Sequence, residues 1–194
     1  MSSKEFDSTI KDYVVELCHR ADFRDREWYW EEHVSEVVRL CEKFGPALGA
    51  DMSILRPAAL LHDLGKLLGM KDHAKAGAGE VERYLSEIAF PETTILTVAA
   101  CIREHSFDPP DPESTESRIL ASCDGASHFT TLFWERYFFD VAKGLFSERD
   151  PSWRAAVESN AQKALEDWEK IVVSEIREYT QPHFECFKKR YALK

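Results

Sequence analysis

The sequence lacks most of the features that announce the common function classes. It has no Cys-x-x-Cys pair, and its five cysteines, Cys18, Cys41, Cys101, Cys123 and Cys186, fall singly in apolar helical patterns. An odd count without clustering argues against a disulfide framework or a zinc–thiolate site and fits reduced, mostly buried thiols. There is no glycine-rich phosphate loop, because Gly77-Ala78-Gly79 lies inside a helical pattern. No apolar run approaches the ~20 residues that span a bilayer. The polar start, Met1 to Glu5, precedes no apolar signal core, so the expected location is the cytoplasm. Strand alternation, internal repeats and low-complexity segments are also missing. Basic charge is scarce: 25 Lys and Arg against 35 Asp and Glu leave a formal net charge of -10. Such a surface argues against a general nucleic-acid or anionic-membrane binder. A small phosphorylated substrate stays open, because a bound divalent cation reverses the field locally.

What is present reads as helix after helix. With 194 residues, 44% hydrophobic and 31% charged, the chain is globular and long enough for one domain with a helical extension. Ser2 and Glu5 have capping-box spacing ahead of an amphipathic run to about Cys18. A second helix is expected from about Trp28 to Phe44, stopped by Gly45-Pro46. A third starts after Asp51 or Ser53, carries Pro57 in its first turns and runs to about Leu68. A fourth spans about His73 to Ile88, and Phe90-Pro91-Glu92 opens a fifth that reaches about His105. The stretch 108–112, with Pro109, Pro110 and Pro112, must be a loop. A sixth helix runs from near Ser114 into the Asp124 region. The chain from Phe129 to Phe146 is aromatic-rich, expected to be helical, and suggests a second packed layer. Asp150-Pro151-Ser152 looks like the start of a long last helix to about Tyr179, which Pro182 breaks before a short tail.

The informative feature is where the histidines and aspartates fall. Trp30, His33, Val34, Val37 and Cys41 share one helical stripe, which turns His33 inward. One inward histidine is more often a hydrogen-bonded core residue than a ligand. The run Ala58-Ala59-Leu60-Leu61 marks a buried helix, yet it leads into His62-Asp63. A buried carboxylate is costly unless a cation or metal pairs with it. Adjacent helical positions differ by about 100°, so the two side chains can converge on an ion between them. Val98, Cys101, Ile102 and His105 form another inward stripe, Leu120 and Asp124 share a face, and His73 opens the helix after the pair. As separate core residues these six would each need a partner of their own. An imidazole–carboxylate set suits Mn, Fe, Co, Ni or Zn, with Mg possible.

The order His … His-Asp … Asp, carried by His33, His62, Asp63 and Asp124, resembles the defining pattern of the HD-domain superfamily of metal-dependent phosphohydrolases. The resemblance covers about residues 28–129, and His-Asp-Leu-Gly-Lys at 62–66 is its specific part. It implies an all-α HD-type helical bundle, one domain over 1–194 with residues 130–194 as a C-terminal helical extension. It implies one metal held by His33, His62, Asp63 and Asp124, and a second bridged by Asp63 and held by His73 and His105. The implied reaction is hydrolysis of a phosphomonoester or phosphodiester, of a nucleotide, by metal-bound hydroxide. Asp63 and Lys66 are then the catalytic candidates, with Lys66, one turn beyond His62, contacting phosphate. Arg118 is a weaker phosphate candidate; Arg103 and Glu104 would lie at the mouth, and His128 behind Asp124. Trp28, Tyr29 and Trp30 either stack a base or belong to the core. The C-terminal helices offer a surface for a homodimer. Two rival readings share the same residues: an HD-type diiron oxygenase, as in myo-inositol oxygenase and its relatives, and a metal-stabilised nucleotide-sensing module without turnover.

Overall fold

The computed structural model describes residues 2–20, 28–106, 112–143 and 153–192. Helix α1 spans Ser3–Cys18, a π-helical turn Trp30–Val34 leads into α2 (Ser35–Phe44), and a 3-10 turn (Pro46–Leu48) precedes α3 (Met52–Leu61). Then follow α4 (Leu64–Leu67), α5 (His73–Glu87), α6 (Glu92–Glu104), α7 (Thr115–Thr130), α8 (Phe133–Ala142), α9 (Trp153–Glu169) and α10 (Ser174–Tyr191). Among the described residues there is no strand, so the chain is all-α, as its patterning implies. The expected loop at 108–111 and the expected helix start at 150–152 lie outside the described residues, as do residues 144–146 of the aromatic segment.

Local chemistry places the helix starts. Ser2 and Glu5 close the capping box, the Asp51 carboxylate accepts the Ser53 N–H at 2.8 Å, and Ser114 Oγ accepts the Ser117 N–H at 3.0 Å. Each side chain satisfies a backbone donor that the first turn leaves without a partner. Four of the five cysteines are buried, and Cys186 is exposed.

Helix α7 is the axis. Apart from Arg118, every residue from Ser117 to Phe129 is buried, because α2, α3, α6, α8, α9 and α10 all pack against it. A helix surrounded in this way loses the one-sided apolar stripe of a surface helix. The aromatic layer expected in the C-terminal third is present: Phe129 meets Phe184 and Phe187 edge-on, and Trp168 stacks on Phe184 at 4.1 Å between ring centroids.

Two boundaries differ from the expectation. The third helix does not run on to Leu68; its ladder breaks after Leu61, and Asp63 takes φ -103°, ψ 18° before α4 begins. The apolar pattern continues through Leu64 and Leu67, so periodicity alone hides the bend. In the C-terminal third the break falls at 170–173, where Ser122 Oγ accepts the N–H groups of Val172 and Val173 at 3.1 Å each. Pro182 instead sits inside α10. Both Pro182 and Glu178, whose carbonyl would have met the missing N–H, are exposed, so the break in the ladder falls on the solvent side while Ile176, Thr180, Phe184 and Phe187 hold the buried face.

Candidate metal centre

Five segments converge at one point in the core. The π-helical turn brings His33, the α3–α4 junction His62 and Asp63, the start of α5 His73, the end of α6 His105, and α7 Asp124. His33 Nε2 lies 3.2 Å from Asp63 Oδ2 and 3.4 Å from Asp124 Oδ1. His62 Nε2 lies 3.5 Å and 3.8 Å from the same two oxygens. The other oxygen of Asp63, Oδ1, faces His73 Nε2 at 3.6 Å and His105 Nε2 at 3.8 Å. All six sequence candidates for metal ligation are therefore gathered, with Asp63 between two sets.

The backs of the rings are anchored. His62 Nδ1–H donates to the Ala59 carbonyl at 2.8 Å, and His105 Nδ1–H donates to the Ile102 carbonyl at 2.5 Å. His33 Nδ1–H donates to Ser127 Oγ at 2.9 Å, whose own hydroxyl donates to the Asp124 carbonyl at 2.7 Å. These bonds put the proton of each neutral ring on Nδ1 and leave the Nε2 lone pair facing inward. His33 Nε2 and His62 Nε2 consequently stand 3.0 Å apart, two acceptors with no proton between them in their neutral forms. Two buried carboxylates complete a centre rich in electron pairs and poor in donors. That is the arrangement a divalent first-row cation satisfies, and His33, His62 and Asp63 on one side and Asp63, His73 and His105 on the other each offer ligand atoms within 4.8 Å of one another.

The electrostatics distinguish the two facing rings. Burial pushes His33 down to about 3, against a smaller opposing pull from Asp63. Burial also opposes charging of His62, but Asp63 and Asp124 outweigh it and hold its pKa above the ordinary value. Burial would raise Asp63, yet Lys66 and His62 keep it well below the usual carboxylate range. Asp124 is likewise held low, burial being overcome by His128, His33 and His62.

Tyr29 belongs to this centre, a role its sequence position did not single out. Its hydroxyl donates to Asp63 Oδ2 and accepts from Lys66 Nζ at 2.6 Å. The available signal was that Tyr29 precedes His33 by four residues and so shares its face. Its neighbours do other work: Trp28 Nε1 donates to Asp140 at 2.9 Å and packs edge-on against Phe133, and Trp30 lines a groove with Lys11 and Arg39. Arg103 pairs with Glu82 at 3.5 Å, and Glu104 accepts the Glu113 N–H at 3.2 Å. Arg118 is exposed on α7. Six residues before Asp124, it is displaced about 9 Å along the axis and about 120° around it, so the fold does not bring it into the cluster. Among the described residues no helix is long and apolar enough to cross a membrane.

Comparison with known proteins adds four findings. Residues 30–127 match the family model described as HD domain. Ribonuclease Y of Cutibacterium acnes (strain DSM 16379 / KPA171202) is 36% identical over 100 residues, which are 50% of this chain and 17% of that protein. The chain thus spans about a sixth of that relative's length. The crystal structure of Bacillus subtilis YpgQ matches with a TM-score of 0.71 at 22% identity, covering 99% of this chain and 95% of that one. The structure of YpgQ in complex with ADP matches with a TM-score of 0.71 at 23% identity, covering 98% and 93%. At this identity the likeness is one of fold.

Proposed function

The chain belongs to the HD-domain family, and from that premise we propose that it is a metal-dependent phosphohydrolase that cleaves a phosphoester of a nucleotide. The observation that carries the reading is Asp63, whose two oxygens each face a different pair of imidazoles while Lys66 waits at the rim. His33, His62, Asp63 and Asp124 would hold one divalent ion, and Asp63, His73 and His105 a second, and the chemistry such ions would supply is Lewis acidity and a lowered pKa of bound water.

The chain's own residues do the rest. Most of the ligands are buried, but the His73 side chain is 40% exposed and that of Lys66 37% exposed. The phosphoester therefore approaches from the α4–α5 side. Lys66 presents a point charge there, tethered by Tyr29, and its role is to orient a phosphoryl oxygen and stabilise the charge that grows on it. The anchored rings keep the ligand geometry fixed, so the site pays little reorganisation when charge develops. The nucleotide part of the proposal draws on the ADP complex of YpgQ and on the name Ribonuclease Y. We assign residues 1–194 to a single domain, with α8 to α10 as the extension that closes over α7.

The test is phosphate and nucleoside release from a panel of nucleotides and simple phosphoesters after loading with Mn, Fe, Co, Ni or Mg, with Asp63→Ala as control. Metal-dependent release that vanishes in the variant supports the hydrolase. Oxygen consumption by the iron-loaded protein without release from any substrate would replace it with the oxygenase reading.

A further inference from the structure

His128 stands outside the His … His-Asp … Asp order, one turn beyond Asp124 on α7. It is buried; its ring centroid lies 4.9 Å from that of His33 and 4.0 Å from that of Phe133, stacked on both. Its Nε2 faces Asp124 Oδ1 at 4.0 Å, and its Nδ1 lies 2.9 Å from Asp167 Oδ2. The N–H is not aligned on that oxygen, so the pair is a close ionic contact and not a hydrogen bond, and both atoms are buried with no hydrogen-bond partner among the described residues. Asp167 comes from α9, beyond the residues that match the family. The carboxylate is wholly buried, and Lys170 Nζ at 3.0 Å and Lys163 Nζ at 3.7 Å reach its other oxygen.

His33, His62 and His105 follow one design: Nδ1 is tied to a fixed acceptor and Nε2 is turned to the centre. His128 shares the orientation, with an anionic neighbour behind the ring in place of the hydrogen-bond acceptor, and a carboxylate behind the ring is the common support of a metal-bound histidine. The ligand atoms of His33, Asp124 and His128 lie within 4.8 Å of one another. The anchor is built into the packing, because a Cβ on Gly125 would stand 2.5 Å from the Asp167 carbonyl, so only glycine there lets α9 lie so close to α7.

We propose that His128 is a further nitrogen ligand of the metal held by His33 and Asp124, and that Asp167 is its positioning residue. This rests on the metal-binding reading above, and it makes the C-terminal extension part of the centre.

The experiment is titration of metal-free protein with Co(II), followed by calorimetry and by the visible spectrum of the bound ion. Asp167→Asn preserves shape and is expected to weaken binding roughly 10–100-fold. His128→Gly is expected to weaken it at least as much and to change the visible bands, with added imidazole restoring both. His62→Ala serves as the ligand control. Wild-type affinity and bands in both Asp167→Asn and His128→Gly, while His62→Ala is impaired, overturn this inference alone. Failure of the unsubstituted protein to bind Co(II) overturns the metal reading as well.

Discussion

The Tyr29 hydroxyl sits between Lys66 and Asp63, taking a hydrogen bond from Lys66 Nζ at 2.6 Å and giving its own to Asp63 Oδ2. Lys66 Nζ also lies 3.8 Å from Asp63 Oδ2, and the phenol bridges that ion pair. Tyr29→Phe keeps the buried ring and removes both hydrogen bonds of the hydroxyl, the one from Lys66 and the one to Asp63. A hydrogen bond to a charged group is worth about 1.5–3 kcal/mol, which corresponds to roughly 10–100-fold in rate if it is realised in the transition state. Steady-state kinetics on the substrate found in the panel should show that loss in kcat/KM, with the melting temperature nearly unchanged. Unaltered kcat/KM would mean that Lys66 needs no tether.

Much of this centre was legible because burying imidazoles and carboxylates on apolar stripes is costly, and a costly placement needs a reason. His33, His105 and Asp124 each interrupt an otherwise apolar face, and His62-Asp63 follows the unbroken apolar run Ala58 to Leu61. Asp167 was not legible: next to Glu166 and Glu169 on an amphipathic helix it reads as one more solvated acid. What buries it is the crossing of α9 over Gly125, a tertiary fact with no trace in periodicity. Tyr29 was hidden for the opposite reason, since a buried tyrosine beside two tryptophans reads as packing. The bend at His62-Asp63 and the continuation of α10 through Pro182 share one cause. Hydrophobic spacing reports which faces are covered and says little about where the backbone turns between them.

Metal should stabilise the folded chain, since the cluster exists only there. Ligand binding to the native state alone raises stability by RT ln(1 + [L]/Kd), about 2.7 kcal/mol at a hundredfold excess over Kd. Thermal melts with increasing Mn or Co are expected to rise with concentration and to fall back on addition of a chelator. Asp63→Ala, which removes the ligand shared by both sets, should melt at a temperature independent of metal, and His62→Ala, which keeps Asp63, His73 and His105, should show a smaller rise than the unsubstituted protein. A rise of equal size in those variants would place the binding elsewhere.

The helix that delivers the His-Asp pair begins at Asp51, whose carboxylate accepts both the Ser53 hydroxyl and its backbone N–H, at 2.7 Å and 2.8 Å. Those bonds, the hydroxyl's first, lower its pKa from the ordinary 3.8. A depressed acid stabilises the fold above its unfolded pKa and loses that contribution as pH falls through the folded value. Asp51→Ala should therefore cost about 1 kcal/mol at neutral pH, and the gap between the two proteins should close below the ordinary 3.8. Urea unfolding at a series of pH values measures it; a gap that persists in acid would assign the loss to something other than the carboxylate.

Gly65 and Gly77 let α4 and α5 meet backbone to backbone. A Cβ on Gly65 would lie 2.2 Å from the His73 carbonyl oxygen and 2.9 Å from Gly77 Cα, and neither is the end of a flexible side chain. Gly65→Ala must therefore push the start of α5 away from α4, and His73 travels with it. His33, His62 and Asp124 are carried by other elements. The expected result is a loss of about 1–3 kcal/mol in stability, with metal stoichiometry falling from two toward one and the first site retained. Gly79→Ala is the control, because its Cβ would point into open space. At an exposed position within α5, alanine should gain up to about 1 kcal/mol. Metal titration and urea unfolding of the two variants separate the outcomes. If Gly65→Ala keeps both metals, the backbone contact between α4 and α5 does not set the position of His73.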